Sequence, residues 1–375
     1  MPLQEKRLMD LRLEFVVLAS HEGADMRELC RRYGISPTTG YRYLTRWRTH
    51  GAAGLRDRSR RPQGSPAQTP PTVEAAVLAL RDAHPAWGGR KLHHALAREG
   101  MVAPPAPSTI TAILRRQGRL APAPRSQHAW QRFEHPAPNE LWQLDFMGQP
   151  ALPTGKVHPL TLLDDHSRFA LLVAACPHQR QRLVQEHLTA AFRRYGLPRR
   201  ILTDNGSPWG AAGAGGLTAL EAWWLRLGIA VSHGRPHHPQ TQGKLERLHR
   251  TLWAEVAGIH ALPDLATAQT RFDAWREGYN HQRPHAALDD AVPSSRYHPS
   301  PRPFPEPLPP IVYGPDDAVR QVSRPGRISF ANREHFIGHG LIGLPVAVRP
   351  SATDGVWTVW YCQRQVAVID LTAHA

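Results

Sequence analysis

The hydrophobic pattern of this chain changes twice, and each change limits what the chain can fold into. Apolar residues recur at helical spacing over residues 1–120, whereas residues 139–298 show strand-like runs that then alternate with amphipathic helices. Short strand-like runs fill residues 311–375. Strands followed by alternating helices and strands are typical of a mixed sheet flanked by helices. The sequence therefore predicts a multidomain α/β protein, as its length of 375 residues also favours.

The first domain, residues 1–53, is predicted to be a helix-turn-helix. Two helical stretches precede the basic stretch "SPTTGYRYLTRWRTHG", in which Ser36 is the expected N-cap and Pro37 the first helical residue. A tight glycine-containing turn before a basic helix is the arrangement that places a helix in a DNA groove. The side chains expected to contact DNA are Thr38, Thr39, Tyr41, Arg42, Arg46 and Arg48. A plain three-helix bundle with a basic solvated face is the alternative.

A basic linker, residues 54–71, follows this domain. Three of its side chains are expected to contact DNA phosphates: Arg58, Arg60 and Arg61. A second helical trio in residues 72–120, with Ser108 expected to cap its third helix, predicts another helix-turn-helix-like domain. A helical spacer is the alternative for this segment.

Two further linkers divide the rest of the chain. Residues 121–138 precede the α/β region at 139–298, and the proline-dense residues 299–310 follow it. The alternating runs in residues 311–375 predict a small β-barrel-like domain or an open sheet. Its arginines are expected to contact phosphates or another subunit, unless the domain only stabilises the chain.

The charge balance indicates the kind of partner. The chain has 46 Lys and Arg residues against 31 Asp and Glu residues, a net charge of +15 that attracts polyanions such as nucleic acid. Its three cysteines are far apart and form no zinc-binding spacing, so neither a structural zinc nor a disulfide framework is expected. Without a signal-peptide pattern or an apolar run of about 18 residues, we expect a cytoplasmic protein that does not bind membranes.

Three acidic residues stand where an acid is costly unless it has a use. Asp145 interrupts the apolar strand "LWQLDFM", Asp204 closes the strand "RRILTD", and Glu246 lies in the first turns of the helix after "HHPQTQG". Taken singly, an aspartate can form a turn and a glutamate an ordinary surface ion pair. Taken together, carboxylates from separate elements suit Mg²⁺ or Mn²⁺. Two such ions, about 3.5–4 Å apart, activate a water or a 3′-hydroxyl in phosphodiester chemistry.

Five motifs in one order resemble the insertion-sequence transposases with a retroviral-integrase-type core. They are "LWQLDFMG", "LTLLDDHSRF", "YGLPRRILTDNGSPW", "IAVSHGRPHHPQTQGKLERLHRTL" and "YNHQRPHAAL". The resemblance implies an RNase H-like core with an Asp-Asp-Glu site of Asp145, Asp204 and Glu246, which would be both the catalytic residues and the metal ligands. It also implies that Lys244 and Arg247 hold DNA near the metals.

This chain departs from the family in one spacing. Between Asp204 and Glu246 lie 246 − 204 − 1 = 41 residues, more than the family usually has, and the small-residue stretch "WGAAGAGG" accounts for the surplus. A loop insertion of this kind costs little closure entropy, so the assignment of the three carboxylates stands.

The function that the resemblance implies is DNA transposition. The chain would bind the terminal inverted repeats of an element, cleave double-stranded DNA at its ends and join the 3′-hydroxyls to target DNA, with two Mg²⁺ or Mn²⁺ ions. A homo-oligomer is expected because two ends must meet. The alternatives are a DNA-binding repressor that does not cut, and a metal-dependent nuclease that only hydrolyses.

Two other groups of side chains could be read as metal sites. Asp164 and Asp165 form an acidic pair, but their position in "DDHSR" between two strands favours turn formation. A histidine group lacks a zinc spacing with a cysteine partner, which favours structural or DNA-proximal roles. Its members are His233, His237, His238 and His249.

Overall fold

The computed structural model describes residues 8–57, 68–120, 134–148, 151–152, 155–210, 216–234, 243–257 and 262–372. The chain divides into two compact units, Met1–Gln68 and Thr69–Ala375. In the described part of the chain, every helix is too short or too polar to cross a membrane.

The first unit contains three α-helices: α1 (Leu8–Ala19), α2 (Met26–Arg32) and α3 (Pro37–His50). The expected start of α3 is confirmed, because the Ser36 hydroxyl accepts a hydrogen bond from the Thr39 backbone N–H and Pro37 is the first helical residue. α3 passes close to α2 at Gly40, where a Cβ would lie 2.5 Å from the Cys30 sulfur. α3 therefore turns Gly40 and Leu44 inward and leaves its basic face outside.

The second unit begins with another helical trio: α4 (Pro71–Ala83), α5 (Gly89–Arg98) and α6 (Pro107–Arg116). α6 has Ala106 at its N-cap and no side-chain cap, so the predicted capping role of Ser108 is wrong. Pro107 is already the first helical residue, where its fixed φ and missing N–H suit the first turn. Ile110, Ile113 and Leu114 bury the inner face of α6.

A five-stranded mixed sheet forms the centre of this unit, with the strand order β5-β4-β1-β6-β7. Its strands, with the short β2–β3 hairpin, are β1 (Trp142–Phe146), β2 (Ala151–Leu152), β3 (Gly155–Lys156), β4 (His158–Asp164), β5 (Ala170–Cys176), β6 (Arg200–Thr203) and β7 (Ala230–His233). β1 is antiparallel to β4 and parallel to β6, and β6 is parallel to β7. The predicted mixed α/β sheet is confirmed.

Helices cover both faces of this sheet. They are α7 (Gln181–Tyr195), α8 (Ala219–Arg226), α9 (Gly243–Leu252) with a π-helical turn (Trp253–Ala257), and α10 (Leu265–His281). Trp142 and Leu144 of β1 pack in one core with α7 and α8. The opposite core joins β4 and β5 to α9 and α10. Because side chains alternate along a strand, Gln143 and Asp145 belong to the face covered by α9.

The last domain is an open antiparallel sheet. Its strands are β8 (Ala318–Gln321), β9 (Arg327–Phe330), β10 (Arg333–Phe336), β11 (Pro345–Pro350), β12 (Val356–Tyr361) and β13 (Arg364–Asp370). Four form the order β13-β12-β11-β8, while β9 pairs with β10, so the described residues form no closed barrel. The stretch expected to be strand around "HFIGHGLIG" contains a 3₁₀ turn at His339–Leu341. There a Cβ on Gly340 would lie 2.1 Å from the Leu217 carbonyl oxygen, so the domain meets α8 backbone to backbone.

Candidate active site

Strand register brings the first two predicted carboxylates together. In the parallel pair β1–β6, Trp142 lies opposite Ile201 and Gln143 opposite Leu202. Continuing that register by two residues places Asp145 opposite Asp204, at the carboxyl ends of both strands. The alternation of side chains puts both aspartates on the sheet face that α9 covers.

The Asp145 carboxyl is in an environment that resists ionisation. Burial, and then the negative charges of Asp204 and Glu246, raise the pKa of Asp145 to about 7, although its Oδ1 accepts a 2.8 Å hydrogen bond from the Phe146 N–H. Both of the other predicted carboxylates therefore act electrostatically on Asp145. Asp204 Oδ1 accepts a 3.1 Å hydrogen bond from the Gly206 N–H, which forms the turn after β6.

Glu246 lies on the exposed side of α9. Leu245, Leu248 and Leu252 are buried and fasten the helix to the sheet, and this spacing leaves Glu246 and Arg247 exposed in the first two turns. α9 packs against β1, the strand that carries Asp145. The buried leucines thus set how far the third carboxylate lies from the first.

His249 ties α9 to the strand of Asp145 through a neighbouring hydroxyl. Its Nε2 lies 2.7 Å from Thr161 Oγ1, and that hydroxyl lies 3.1 Å from the Asp145 carbonyl oxygen. Burial lowers the pKa of His249 to about 4, so the ring is neutral at pH 7. A hydroxyl that donates to the carbonyl must accept from His249 Nε2–H. The sequence indicated a DNA-proximal or structural role for His249 and gave no sign of Thr161.

Lys244 ties the start of α9 to the β4–β5 turn. Its amine forms an ion pair of 2.5 Å with Asp165 Oδ1, and the Asp165 side chain is almost entirely buried. The amine therefore has a structural partner, while its predicted contact with DNA stays a prediction. Together with the His249 contact, this ion pair holds α9 on both sides of Glu246.

All carboxylate oxygens of the acidic pair Asp164 and Asp165 accept hydrogen bonds inside the protein. The Asp164 carboxylate accepts from the N–H and hydroxyl of Ser167 and from the Asn139 N–H, at 2.6–2.8 Å. Asp165 accepts from the His135 N–H at 2.9 Å and from Gln143 Nε2 at 2.8 Å. The prediction that these residues form a turn is confirmed.

A second ion pair supports the loop after β6. His233 Nε2 lies 2.8 Å from Glu221 Oε1, and its Nδ1 lies 3.0 Å from the Asp204 carbonyl oxygen. The hydrogen bond to Glu221 raises the pKa of His233, and bonds from His233 and Thr218 lower the pKa of the Glu221 carboxyl despite its burial. The buried Glu221 therefore supports the backbone of Asp204 through His233, and the sequence did not identify this glutamate. In the sequence, Glu221 forms a capping box with Thr218, and that pattern indicates only the start of a helix.

Four of the six predicted DNA-contacting residues of α3 are exposed: Thr38, Tyr41, Arg42 and Arg48. Thr38 and Arg42 lie opposite the buried Gly40 and Leu44. Thr39 and Arg46 are half-buried, and the Thr39 hydroxyl lies 2.9 Å from the Ser36 hydroxyl. Three predicted contacts lie outside the described residues: Arg58, Arg60 and Arg61.

Hard divalent cations prefer carboxylate oxygens as ligands, and Asp145, Asp204 and Glu246 supply such oxygens. Among the described residues, no Lys or Arg side chain forms an ion pair with any of the three. In the described ranges, however, no three His, Cys, Asp or Glu side chains converge closely enough to hold a metal ion as they stand. Residues 235–242, directly before α9, lie outside these ranges. The donor chemistry fits a divalent ion, and a shared site requires the carboxylates to move closer.

Sequence comparison matches three stretches of the chain to known domain families. A helix-turn-helix domain matches residues 11–63 and a homeodomain-like domain matches residues 39–114. Two integrase core domain families match residues 135–239 and 227–293. The C-terminal domain of the IS481 family transposases matches residues 317–375.

Two relatives from insertion elements and one solved structure are similar to parts of the chain. A 31.7 kDa protein of insertion element IS407 from Burkholderia multivorans is 29% identical over 229 residues, which cover 59% of this chain and 79% of that protein. A 39.2 kDa protein of insertion element IS476 from Xanthomonas euvesicatoria is 26% identical, over 61% of this chain and 66% of the relative. A chain of the simian T-cell lymphotropic virus intasome in complex with a PP2A regulatory subunit aligns with a TM-score of 0.40 and 18% identity, over 76% of this chain and 91% of that one.

Proposed function

Since the chain belongs with the insertion-sequence transposases that have an integrase-like core, we propose that it cleaves and joins DNA at the ends of such an element. The helix-turn-helix domains bind the terminal inverted repeats, and the carboxylates of Asp145, Asp204 and Glu246 form the reaction centre. Two element ends have to meet in one complex, so a homo-oligomer acts on them.

One observation carries this proposal. The β1–β6 register sets Asp145 opposite Asp204, and the charges of Asp204 and Glu246 both act on the half-buried Asp145 carboxyl, whose pKa rises to about 7. A fold gains nothing by collecting carboxylates that repel one another, whereas a perturbed acid beside like charges marks a functional site. The acids of the β4–β5 turn, by contrast, are satisfied by hydrogen bonds.

Asp145, Asp204 and Glu246 would hold the divalent ions, Mg²⁺ or Mn²⁺. When bound, two such ions activate the attacking oxygen and stabilise the leaving oxygen of a phosphodiester. The protein's own groups position the reactants. Arg247 is exposed beside Glu246 and contacts the DNA backbone, while His249 and the Glu221–His233 pair fix the helix and the loop that carry two of the carboxylates.

A strand-transfer assay tests the proposal. The substrate is labelled duplex DNA with the terminal repeat of the element, incubated with target DNA and either Mg²⁺ or Mn²⁺. We expect nicked and joined products from the wild type. Asp204→Asn and Glu246→Gln should reduce product by more than the ~10–100-fold typical of residues that only support metal ligands. Glu277→Gln, on the exposed side of α10, is the matched control and should retain activity.

Three results separate the alternatives. Binding of the ends without any nicked product would identify an end-binding repressor. Nicked product that is never joined would identify a nuclease that only hydrolyses. Full activity of Asp204→Asn and Glu246→Gln would refute the residue assignment.

A further inference from the structure

One exposed aromatic side chain on α9 is explained neither by packing nor by the three carboxylates. Trp253 is 48% exposed at the point where α9 passes into its π-helical turn. It follows Glu246 by seven residues, and Arg250 follows Glu246 by four. Residues at these spacings lie on one side of a helix, so Trp253 and Arg250 continue the exposed face that carries Glu246.

The π-helical turn shows which neighbours of Trp253 the fold uses. Glu255 accepts a 2.9 Å hydrogen bond from Trp275 Nε1 and forms a 3.1 Å ion pair with Arg283, while Val256 is buried in the core that contains α10. These contacts hold the end of α9 on the core. Trp253 belongs to none of the hydrophobic cores that the described residues form. Turns of this kind are rare and are frequent at functional sites.

The charges near Trp253 favour a nucleic acid over a protein as its partner. A protein partner usually requires a contiguous exposed apolar patch. The exposed side chains that precede Trp253 on α9 are instead Glu246, Arg247 and Arg250. In the part of the chain that the structure describes, Arg250 has no acidic side chain within ion-pair distance. A cation beside an exposed aromatic ring suits an unpaired DNA strand, whose phosphate meets the cation while a base stacks on the ring.

The distance along α9 indicates which nucleotide would meet the ring. From Glu246 to Trp253 the helix rises about 10 Å, at about 1.5 Å per residue. Successive nucleotides of one DNA strand are about 3.4 Å apart along the duplex, so the ring lies about three nucleotides from a phosphate held at Glu246. A base inside the duplex is covered by its neighbours on both faces. The nucleotide that stacks on Trp253 therefore has to leave the duplex.

We propose that Trp253 stacks on an unpaired base of the element end, about three nucleotides from the reacting phosphate. This assignment rests on the proposed function, because that function brings a DNA end to Glu246. It specifies the form of the substrate, which is a DNA end whose last base pairs have opened. Trp253 holds the opened strand, and Arg250 contacts its backbone.

Binding of the full-length chain to two forms of the terminal-repeat duplex tests the stacking contact. In the forked form, the last three base pairs at the element end are replaced by unpaired nucleotides. In the locked form, a cross-link between the strands keeps these bases paired. We expect Trp253→Ala to raise the Kd for the forked form about tenfold to a hundredfold, as the loss of one stacked base does, and to leave the Kd for the locked form unchanged. Trp253→Phe should lose much less, because its ring still stacks.

A fluorescent base and two further variants complete the experiment. 2-Aminopurine at the third unpaired position should lose fluorescence when the wild type binds and should keep it with Trp253→Ala. Phe336→Ala is the matched control, because it removes a ring of similar exposure, 42%, from β10, and both Kd values should stay unchanged. Arg250→Gln should make the slope of log K against log salt concentration shallower by about 0.9 for both forms, as the loss of one phosphate contact does.

Two results would overturn the stacking contact. An equal rise in Kd for both forms, with or without a lower melting temperature, would mean that Trp253 does not distinguish an unpaired base. Unchanged Kd values with a smaller oligomer would make Trp253 a subunit contact. Neither result concerns cleavage. If the loss is confined to the forked form but the wild type yields no nicked or joined product, the stacking contact is confirmed and the proposed function is refuted.

Discussion

Two pairs of aspartates at the same sheet differ in their burial and in their hydrogen bonds. Asp164 and Asp165 at the end of β4 are fully buried, and every carboxylate oxygen accepts a hydrogen bond. Asp145, on the neighbouring strand β1, and Asp204, directly after β6, are only partly buried. Each accepts a hydrogen bond from a backbone N–H one or two residues further along the chain.

The difference shows which acids the fold needs. The buried pair replaces the water it has lost with donors from several segments, so it stabilises the structure. The Asp145–Asp204 pair gains few hydrogen bonds from the protein. Burial and the negative charge of Asp204 together raise the pKa of Asp145. Burial alone would not identify Asp145 and Asp204 as the candidate functional pair, whereas the number of hydrogen-bond partners separates the two pairs.

The largest expected effect is on the free energy of unfolding, and it should differ between the two pairs. Asp165→Asn removes the charge that pairs with Lys244 and turns one acceptor into a donor facing other donors. We expect a loss of about 3 kcal/mol in the free energy of unfolding, as when one partner of a buried ion pair is removed. Asp145→Asn should cause no loss. Urea unfolding at pH 7.5 without divalent ions measures both, and an equal loss for the two variants would contradict the comparison.

The second effect is a pH dependence that belongs to Asp145. Its folded pKa, about 7, lies above the ordinary value of 3.8, so the folded state holds the proton more tightly. The resulting stability is fully present below about pH 3.8 and is lost as the pH rises through about 7. Between pH 8 and pH 5 we expect the wild type to gain about 2.6 kcal/mol relative to Asp145→Asn, measured by urea unfolding in metal-free buffer. A parallel pH profile for the two proteins would show that the Asp145 carboxyl is not perturbed.

Much of the fold could be predicted from the sequence because its signals are local. Ser36 and Pro37 mark the start of α3, Gly196 with its φ of 77° ends α7, and the "DDHSR" turn sets the β4–β5 hairpin. The order of the motifs predicts the three carboxylates. That Asp145 and Asp204 lie opposite each other depends on the β1–β6 register, which single residues do not reveal.

The partners of the site residues could not be predicted, because they come from distant segments. Thr161 and His249 are 88 residues apart, and Lys244 and Asp165 are 79 apart. Nothing in the local pattern distinguishes Lys244 from Arg247, two cations on either side of Glu246. Only packing shows that one faces a buried acid and the other is exposed.

The smallest expected effect concerns the difference between Lys244 and Arg247. Burial lowers the pKa of the Lys244 amine. The ion pair with Asp165 nevertheless holds this side chain at the start of α9. In a double-mutant cycle of Lys244→Met and Asp165→Asn, we expect a coupling energy of about 1 kcal/mol in urea unfolding. Lys244→Met should leave the salt slope of DNA binding unchanged, whereas Arg247→Gln should make it shallower. Zero coupling together with a slope change of about 0.9 for Lys244→Met would instead make Lys244 a phosphate contact, and α9 would then present both flanking cations to DNA.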